Sequence, residues 1–349
     1  MLQLTKSEVL DMIRIGVDAM GGDFGLNSTI KASEDIVKEY KDVTVVLYGK
    51  EEEIKKRLTT TERIEIVNCP KVLDMGEHNP ILTIRKEKDE ASLCVAMQAA
   101  KKKEVDCVVT SGPTQCVVVA AHLLIKRLPQ VERIALCPII PNLDGKPRLL
   151  LDVGANTSLR PEHISLLANF ATVVAKNVLG YENPRVGLLN IGTEEGKGRD
   201  VDKETYDVLK ANKFINFYGN VEANEVLMSP TEIIINDGFT GNICMKTIEG
   251  TAKAMAKMLK EEIKSSLGGK IGYLFMRKNL ARFAKRMDSK EIGGAMILGL
   301  GCPVIKAHGN SDAYAFKNAI KQGIKMVKND VIGHVLASLP SEDETNGTN

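Results

Sequence analysis

The sequence predicts an α/β protein built on a doubly wound, mostly parallel, three-layer sheet. Short apolar runs alternate with longer segments of helical periodicity along nearly the whole chain, and this alternation is typical of βαβ units. Glycines and polar residues directly follow several of the apolar runs. In an open parallel sheet such residues gather at the carboxyl ends of the strands, where ligands bind.

The N-terminal half begins with a strand, a glycine turn and a helix. Residues 1–12 are predicted to be a disordered leader, and residues 13–330 a single domain. The polar residues around Pro80 favour a long loop over residues 73–89. Strands are predicted at residues 13–18, 43–48, 64–67, 106–111, 134–140 and 148–153, and helices at residues 28–40, 51–57, 91–103, 116–125 and 161–179.

The C-terminal half continues the alternation. An apolar strand that starts at residue 185 breaks abruptly into a loop of glycines, carboxylates and one lysine. Residues 338–349 are polar and are predicted to be a disordered tail. The remaining strands are predicted at residues 215–218, 232–235 and 304–306, and the remaining helices at residues 203–211, 243–264, 271–287 and 313–327.

Composition excludes several classes of protein. With 44% hydrophobic and 26% charged residues the chain is typical of globular proteins, and a net charge of +2 argues against a surface devoted to nucleic acid. The seven cysteines are scattered, so buried thiols in a reducing cytoplasm are expected. No histidine pair suits zinc, and no apolar run approaches the ~20 residues that span a bilayer. We therefore expect a cytoplasmic protein without a metal or a cofactor.

Six polar clusters follow predicted strands. Helix N-termini offer unpaired amide groups and the positive end of the helix dipole, so several of them together favour a phosphate or carboxylate ligand. Each cluster alone also fits an ordinary helix cap or glycine turn, but their recurrence favours one shared cleft. The clusters are residues 18–23, 112–115, 152–156, 192–198, 237–242 and 310–312.

The loop at residues 192–198 is the strongest candidate for anion binding. Its three glycines let the backbone approach a ligand closely, and Lys197 supplies a compact cation. It is not a nucleotide P-loop, because only three residues separate Gly192 from Gly196 and a glycine follows the lysine. The alternative is a plain strand-to-helix turn with a solvated lysine.

No pattern supports covalent or nicotinamide chemistry. The chain has no Gly-x-Ser-x-Gly elbow, no cysteine beside an obvious base, and no Gly-x-Gly-x-x-Gly after a strand. His308 is the one histidine at a polar, glycine-flanked strand end. It fits either a base or anion donor, or a structural histidine.

Residues 251–290 form a basic amphipathic helical segment, which we interpret as an insertion. They contain eleven basic and three acidic residues, a local net charge of +8, together with an apolar patch at residues 273–276. A solvated helix pair is one interpretation. The other is a surface for anionic lipid or an acidic protein. The residues of this surface are Lys270, Tyr273, Leu274, Phe275, Arg277 and Lys278.

Together the clusters resemble the phosphate acyltransferase (PlsX) family over residues 13–327. The matching segments are Val-Asp-Ala-Met-Gly-Gly-Asp from residue 17, Asp-Val-Gly-Ala-Asn from residue 152, Asn-Pro-Arg-Val-Gly-Leu-Leu-Asn-Ile-Gly from residue 183, Glu-Glu-Gly-Lys-Gly from residue 194, Asp-Gly-Phe-Thr-Gly-Asn from residue 237 and His-Gly-Asn-Ser-Asp from residue 308.

The resemblance implies a fold similar to that of phosphotransacetylases. It implies an enzyme that transfers a fatty acyl group from acyl carrier protein to inorganic phosphate, forming acyl phosphate for phospholipid biosynthesis. A homodimer that associates peripherally with the membrane is also implied. Departures from the family pattern occur at Gly-Pro-Thr-Gln from residue 112, Lys-Asp-Glu-Ala-Ser from residue 88 and Phe-Gly-Leu from residue 24, where the family shows Gly-Asn-Thr-Gly, Lys-Asp-Ser-Ser and His-Ala-Pro.

The clusters and the resemblance together define the expected site residues. Catalytic roles are expected for Lys197 and His308. A related enzyme that uses acyl-coenzyme A is the main alternative, and a non-catalytic membrane scaffold is the second. The residues expected to bind phosphate or substrate are Asp18, Gly21, Gly22, Asp23, Thr114, Asn156, Gly196, Gly198, Asp237, Thr240, Asn242, Ser311 and Asp312.

Overall fold

The computed structural model describes residues 12–287, 291 and 293–339. The predicted leader, except Met12, and most of the predicted tail lie outside these residues. The chain divides into two compact units, Met1–Arg127 with Leu300–Ile332, and Leu128–Gly299 with Gly333–Asn349. We call them unit 1 and unit 2. That residues 13–330 fold as a single domain stays a prediction.

Strands and helices alternate as the sequence predicts. The strands are β1 (Ile13–Asp18), β2 (Val43–Gly49), β3 (Ile64–Asn68), β4 (Cys107–Thr110), β5 (Ala135–Cys137), β6 (Ile139–Ile140), β7 (Arg148–Leu151), β8 (Arg185–Asn190), β9 (Asn216–Glu222), β10 (Ile233–Ile235), β11 (Ala295–Leu298) and β12 (Val304–Lys306). The α-helices are α1 (Leu26–Glu39), α2 (Glu51–Lys55), α3 (Pro80–Glu87), α4 (Ser92–Lys101), α5 (Thr114–Leu124), α6 (Pro161–Val174), α7 (Asp200–Ala211), α8 (Gly238–Ser265), α9 (Leu267–Met287), α10 (Ala313–Lys328) and α11 (Val331–Ala337).

Unit 1 contains a parallel sheet with the strand order β3-β2-β1-β4-β12. The helices α1 and α10 pack against each other, and α4 packs against α5 and against β1 and β4. Its core contains Ile15, Leu47 and Phe316, whose side chains are fully buried. Because every strand runs in the same direction, the carboxyl ends of β1, β4 and β12 meet at one edge.

Unit 2 contains a second sheet with the order β6-β7-β10-β8-β9. The strands β7, β10, β8 and β9 are parallel, and the short β6 runs antiparallel to β7. The strands β5 and β11 pair antiparallel. The helix α6 packs against β10 and α7, with Phe170 fully buried. The doubly wound, mostly parallel α/β fold is therefore confirmed.

Two local predictions are wrong, and two further elements are not predicted from the sequence. Residues 80–87 form the helix α3 rather than a loop, because Pro80 occupies the first turn, where proline is tolerated, and Ile84 is fully buried. The strand predicted at residues 134–140 divides into β5 and β6 at Pro138, which has no amide hydrogen for the ladder. The strand β11 and the helix α11 were not predicted.

All seven cysteines are buried free thiols, as the sequence predicts. Of the predicted basic segment, the described residues 251–265 and 267–287 are helical, in the second half of α8 and in α9, and Ser266 separates the two helices. None of the helices described is both long and apolar enough to cross a membrane.

Gly187, in the middle of β8, provides a test of the side-chain packing in unit 2. A Cβ atom at Gly187 would lie 2.5 Å from Val221 Cγ2 and 3.1 Å from Thr231 Cγ2. The substitution Gly187→Ala is therefore expected to lower the free energy of unfolding by about 1–3 kcal/mol, measured by chemical denaturation. The control Gly196→Ala adds the same methyl group where nothing lies within 4 Å. An equal decrease in the free energy of unfolding in both variants would contradict the packing argument.

Candidate functional site

In unit 1, Asp18 fixes the end of β1. Its side chain is 1% exposed. One carboxylate oxygen accepts a hydrogen bond from Ser92 Oγ at 2.6 Å, and the other accepts one from Thr110 Oγ1 at 2.7 Å. Burial raises the pKa of Asp18, although these donors oppose the rise. Asp18 therefore links the end of β1 to β4 and α4 through its buried carboxylate.

The glycine turn after β1 lies against the loops that follow β4 and β12. A Cβ atom at Gly22, where φ is +83°, would lie 2.5 Å from Ser111 Oγ and 2.8 Å from the carbonyl oxygen of Gly309. The Asp23 amide donates to that same carbonyl at 2.8 Å, and Ser111 Oγ donates to the carbonyl of Gly21 at 2.8 Å. The cluster at residues 18–23 thus contacts Ser111 and Gly309, which directly precede the clusters at residues 112–115 and 310–312.

The remaining predicted residues of unit 1 lie on these loops and at two helix N-termini. Asp312 caps α10 by accepting the Ala315 amide at 3.0 Å, and Ser311 is buried. Asp23, Thr114 and His308 are exposed. Of the predicted residues of unit 1, these three therefore have the most exposed side chains.

In unit 2, Asp152 organises the turn after β7. Its side chain is fully buried and accepts five hydrogen bonds. The amides of Leu136, Gly154 and Ala155 donate to Oδ1, and the amide and side chain of Asn156 donate to Oδ2 at 2.8 and 2.9 Å. Burial raises the pKa of Asp152, and the donors oppose that rise. Asn156, a predicted substrate residue, is therefore committed to this turn.

The first turn of α8 packs directly on the Asp152 turn. A Cβ atom on Gly241 would overlap the Asp152 carbonyl oxygen, and one on Gly238 would overlap the carbonyl of Asn156. Asn242 Nδ2 donates to the carbonyl of Val153 at 2.8 Å. The glycines of the Asp-Gly-Phe-Thr-Gly-Asn segment are needed because two backbones approach each other here.

Asp237 caps α8 and forms an ion pair with Arg199. One carboxylate oxygen accepts the Thr240 amide at 2.8 Å, and the other accepts Arg199 Nη2 at 2.8 Å. Arg199 also bonds Asp202 at 2.8 and 3.0 Å. Burial alone would raise the pKa of Asp237, but Thr240 and Arg199 together lower it.

Two buried asparagines hold the loop that carries Lys197. Asn190 Nδ2 donates to the Lys197 carbonyl at 3.1 Å, and Asn220 Nδ2 donates to the Glu194 carbonyl at 2.8 Å. Gly198 has φ +94° and lies against Asn190 Oδ1, so a side chain there would be strained. The Lys197 side chain is 49% exposed, and its Nζ lies 3.9 Å from Glu194 Oε2. The loop is therefore anchored while its ammonium group stays accessible.

In unit 1 the structure places the cluster at residues 18–23 against the residues that directly precede the clusters at 112–115 and 310–312. In unit 2, the Asp152 turn contacts the first turn of α8, and Arg199 connects Asp237 to the end of the Lys197 loop. The convergence of all six on one cleft stays a prediction. Arg199 is the main residue that sequence reasoning missed, although it directly follows the Gly-Lys-Gly segment. Among the described residues no group of three or more His, Cys, Asp or Glu side chains could hold a metal ion.

Comparison with solved structures identifies the class of fold. A phosphotransacetylase from Streptococcus pyogenes superposes with a TM-score of 0.60 at 15% identity, covering 90% of this chain and 94% of that one. A branched-chain phosphotransacylase from Enterococcus faecalis V583 gives a TM-score of 0.56 at 13% identity, covering 90% and 100%. The fold is therefore the three-layer α/β fold of these proteins.

Sequence comparison identifies the family. A family model described as fatty acid synthesis protein matches residues 13–334. A phosphate acyltransferase from Acholeplasma laidlawii is 44% identical, covering 95% of this chain and all of that protein, and one from Bacillus cereus strain G9842 is 40% identical, covering 95% and 99%. The chain belongs to the phosphate acyltransferase family and is an acyltransferase, so the alternative of a non-catalytic scaffold is not retained.

Because Asp237 forms an ion pair with Arg199, we expect its contribution to the stability of the fold to depend on pH. Because the folded-state pKa of Asp237 is lowered, the carboxylate stabilises the fold above its unfolded pKa of about 3.9, and this stabilisation is lost as the pH falls through the folded-state value. Asp237→Asn keeps a good helix cap but removes the charge. It should lower the free energy of unfolding by about 1–2 kcal/mol near neutral pH, and the difference from wild type should shrink below about pH 4.

Urea denaturation at pH 7 and at pH 3.5 measures this difference. Asp200→Asn is the matched control, because Asp200 is 93% exposed and pairs only with Lys203 at the surface. It should change stability little at either pH. A loss in Asp237→Asn that stays the same at both pH values would contradict the role of the ionised carboxylate.

Proposed function

We propose that the protein transfers a fatty acyl group from acyl carrier protein to inorganic phosphate, producing acyl phosphate for phospholipid biosynthesis. Membership of the phosphate acyltransferase family supports phosphate as the acceptor. The observation that carries the proposal in the structure is the anchored loop at residues 192–198, with its half-exposed Lys197. A donor thioester on coenzyme A is the alternative.

The proposed reaction needs no activated side-chain nucleophile. A phosphate oxygen attacks the carbonyl carbon of the thioester, and a tetrahedral oxyanion forms. The carbon–sulfur bond then breaks, a carbon–oxygen–phosphorus link remains, and the departing thiolate takes a proton from solvent. The protein has to hold phosphate against the carbonyl and stabilise the oxyanion. Backbone amides and an accessible lysine can supply both effects.

Lys197 is proposed to balance the negative charge that develops on the phosphate and carbonyl oxygens. Its ammonium group is accessible, whereas the cation of Arg199 is already shared between Asp202 and Asp237. His308 and Thr114, both exposed in unit 1, are proposed to contact substrate. The buried Asp18 is proposed to position the backbone of the glycine turn, and Asp152 and Asp237 to position the loops of unit 2.

We also propose that α8 and α9 bind an anionic membrane surface peripherally. From residue 251 to residue 285 nearly every side chain is exposed, with Leu274 71% and Phe275 85% exposed. Lys270, Arg277 and Lys278 are also exposed on α9, so apolar and basic groups lie on the same helix. The homodimer implied by the family resemblance is part of the same proposal.

The donor and the acceptor are tested together by trapping the product. Purified protein is mixed with phosphate and either acyl-carrier protein or acyl-coenzyme A, and hydroxylamine converts acyl phosphate to a hydroxamate. We expect hydroxamate that depends on phosphate, with the carrier as the better donor. Preference for acyl-coenzyme A would favour the alternative donor, and no hydroxamate with either donor would overturn the proposal.

The role of Lys197 is tested by Lys197→Met, which keeps the length of the stem and removes the charge. Loss of an interaction made in the transition state is expected to lower turnover about a hundred- to a thousand-fold, or about 2.7–4 kcal/mol. Lys197→Arg should retain only part of the activity, because the planar guanidinium group of arginine differs in shape and charge distribution from the compact ammonium group of lysine.

The matched control is Lys203→Met. Lys203 is 46% exposed, close to the value for Lys197, and pairs with Asp200. It should keep turnover within about twofold of wild type. Near-normal acyl phosphate formation by a folded Lys197→Met variant would remove the loop from the active site.

The membrane proposal is tested with vesicles that contain acidic phospholipid. Replacing Leu274 and Phe275 by Glu should abolish sedimentation with vesicles, and salt should weaken wild-type binding. Leu143→Glu is the control, because Leu143 is 63% exposed on a different surface segment. Wild-type sedimentation of the double variant would show that α9 does not bind the bilayer.

A further inference from the structure

Unit 1 has an open groove between α4 and α5, away from the loops described above. The cavity has a volume of about 440 Å³. It is lined by Lys88, Gln98, Lys101, Lys102, Leu123 and Leu124.

The groove is basic at its rim and apolar on one wall. Lys101 and Lys102 are exposed, and no carboxylate among the described residues forms an ion pair with either of them. Lys88 approaches only Asp89, at 4.0 Å between two exposed side chains. The Gln98 side chain donates a hydrogen bond to the Lys88 carbonyl, and this bond connects the segment before α4 to the helix. Leu123 is 40% exposed on the opposite wall.

Both helices that form the groove begin at residues of the candidate site. The helix α4 starts at Ser92, which bonds Asp18, and α5 starts at Thr114. At a rise of 1.5 Å per residue, Lys101 lies about 14 Å from Ser92 along α4, and Leu124 lies about 15 Å from Thr114 along α5. A molecule docked at the far ends of these helices needs a long arm to deliver a thioester to their N-termini.

We propose that this groove is the docking surface for the acidic acyl carrier. The inference rests on the proposed function, in which the acyl group arrives on a carrier protein. Unpaired lysines at the rim suit acidic side chains of the carrier, and the exposed leucine suits an apolar residue between them. The flexible phosphopantetheine arm of a carrier supplies the reach along α4 and α5. This assignment separates the carrier surface from the basic surface of α8 and α9, which is left for lipid.

The double variant Lys101→Glu with Lys102→Glu tests the docking surface. The Michaelis constant for acyl-carrier protein should rise about tenfold or more, because rim charges control encounter and docking. Turnover at saturation and the Michaelis constants for acyl-coenzyme A and phosphate should stay within about twofold. Titration calorimetry with the carrier alone should show the same loss of affinity without any chemistry.

The matched control is Lys38→Glu with Lys41→Glu. These lysines are also exposed in the same unit: Lys38 lies in the last turn of α1, and Lys41 lies two residues after the helix ends. This variant changes the net charge equally and should leave the Michaelis constant for the carrier unchanged. An unchanged constant in the groove variant, or an equal rise in both variants or with both donors, would overturn the docking proposal. If wild-type protein makes no acyl phosphate from the carrier, the proposed function fails instead.

Discussion

The carboxylate of Asp152 is the group on which the geometry of unit 2 depends. A fully buried carboxylate is costly unless donors surround it, and five hydrogen bonds from Leu136, Gly154, Ala155 and Asn156 supply that compensation. These bonds fix the turn after β7, and the first turn of α8 can pack on it only because glycines face the contact. Asp18 is the corresponding buried carboxylate in unit 1, and it accepts hydrogen bonds from the hydroxyl groups of Ser92 and Thr110.

Most of the acidic and amide side chains at the strand ends therefore take part in turns, helix caps or ion pairs within the protein. Asn156, Asp237 and Asp312 are all occupied by turns, caps or ion pairs. Lys197 and the unit 1 side chains of Asp23, Thr114 and His308 are exposed. An arrangement of internally bonded carboxylates beside an exposed lysine suits a reaction in which the nucleophile is an anion that has only to be positioned. In the proposed reaction the anchored loop would hold its amides and the Lys197 cation in place, so little reorganisation would be needed when charge develops.

The sequence predicts the fold well because its apolar runs and glycine turns are local signals. The strands β1, β8 and β12 begin where the hydrophobic pattern begins, and the contacts of Gly21 and Gly22 follow from the need for close backbone approach. The sequence does not predict α3, because a proline among polar residues fits a loop as well as the first turn of a helix. The strand β11 was missed because its partner β5 lies far away in sequence. The pairing of Arg199 with Asp237 spans 38 residues, and no spacing rule connects such positions.

The central claim is that inorganic phosphate itself attacks the acyl carbonyl at these loops. The most direct measurement uses fully ¹⁸O-labelled phosphate with acyl-carrier protein in unlabelled water, followed by mass spectrometry of the product before trapping. We predict acyl phosphate that retains every phosphate oxygen as ¹⁸O, with the carbonyl oxygen of the acyl group unlabelled. Free fatty acid that carries oxygen from water, without labelled acyl phosphate, would contradict the account.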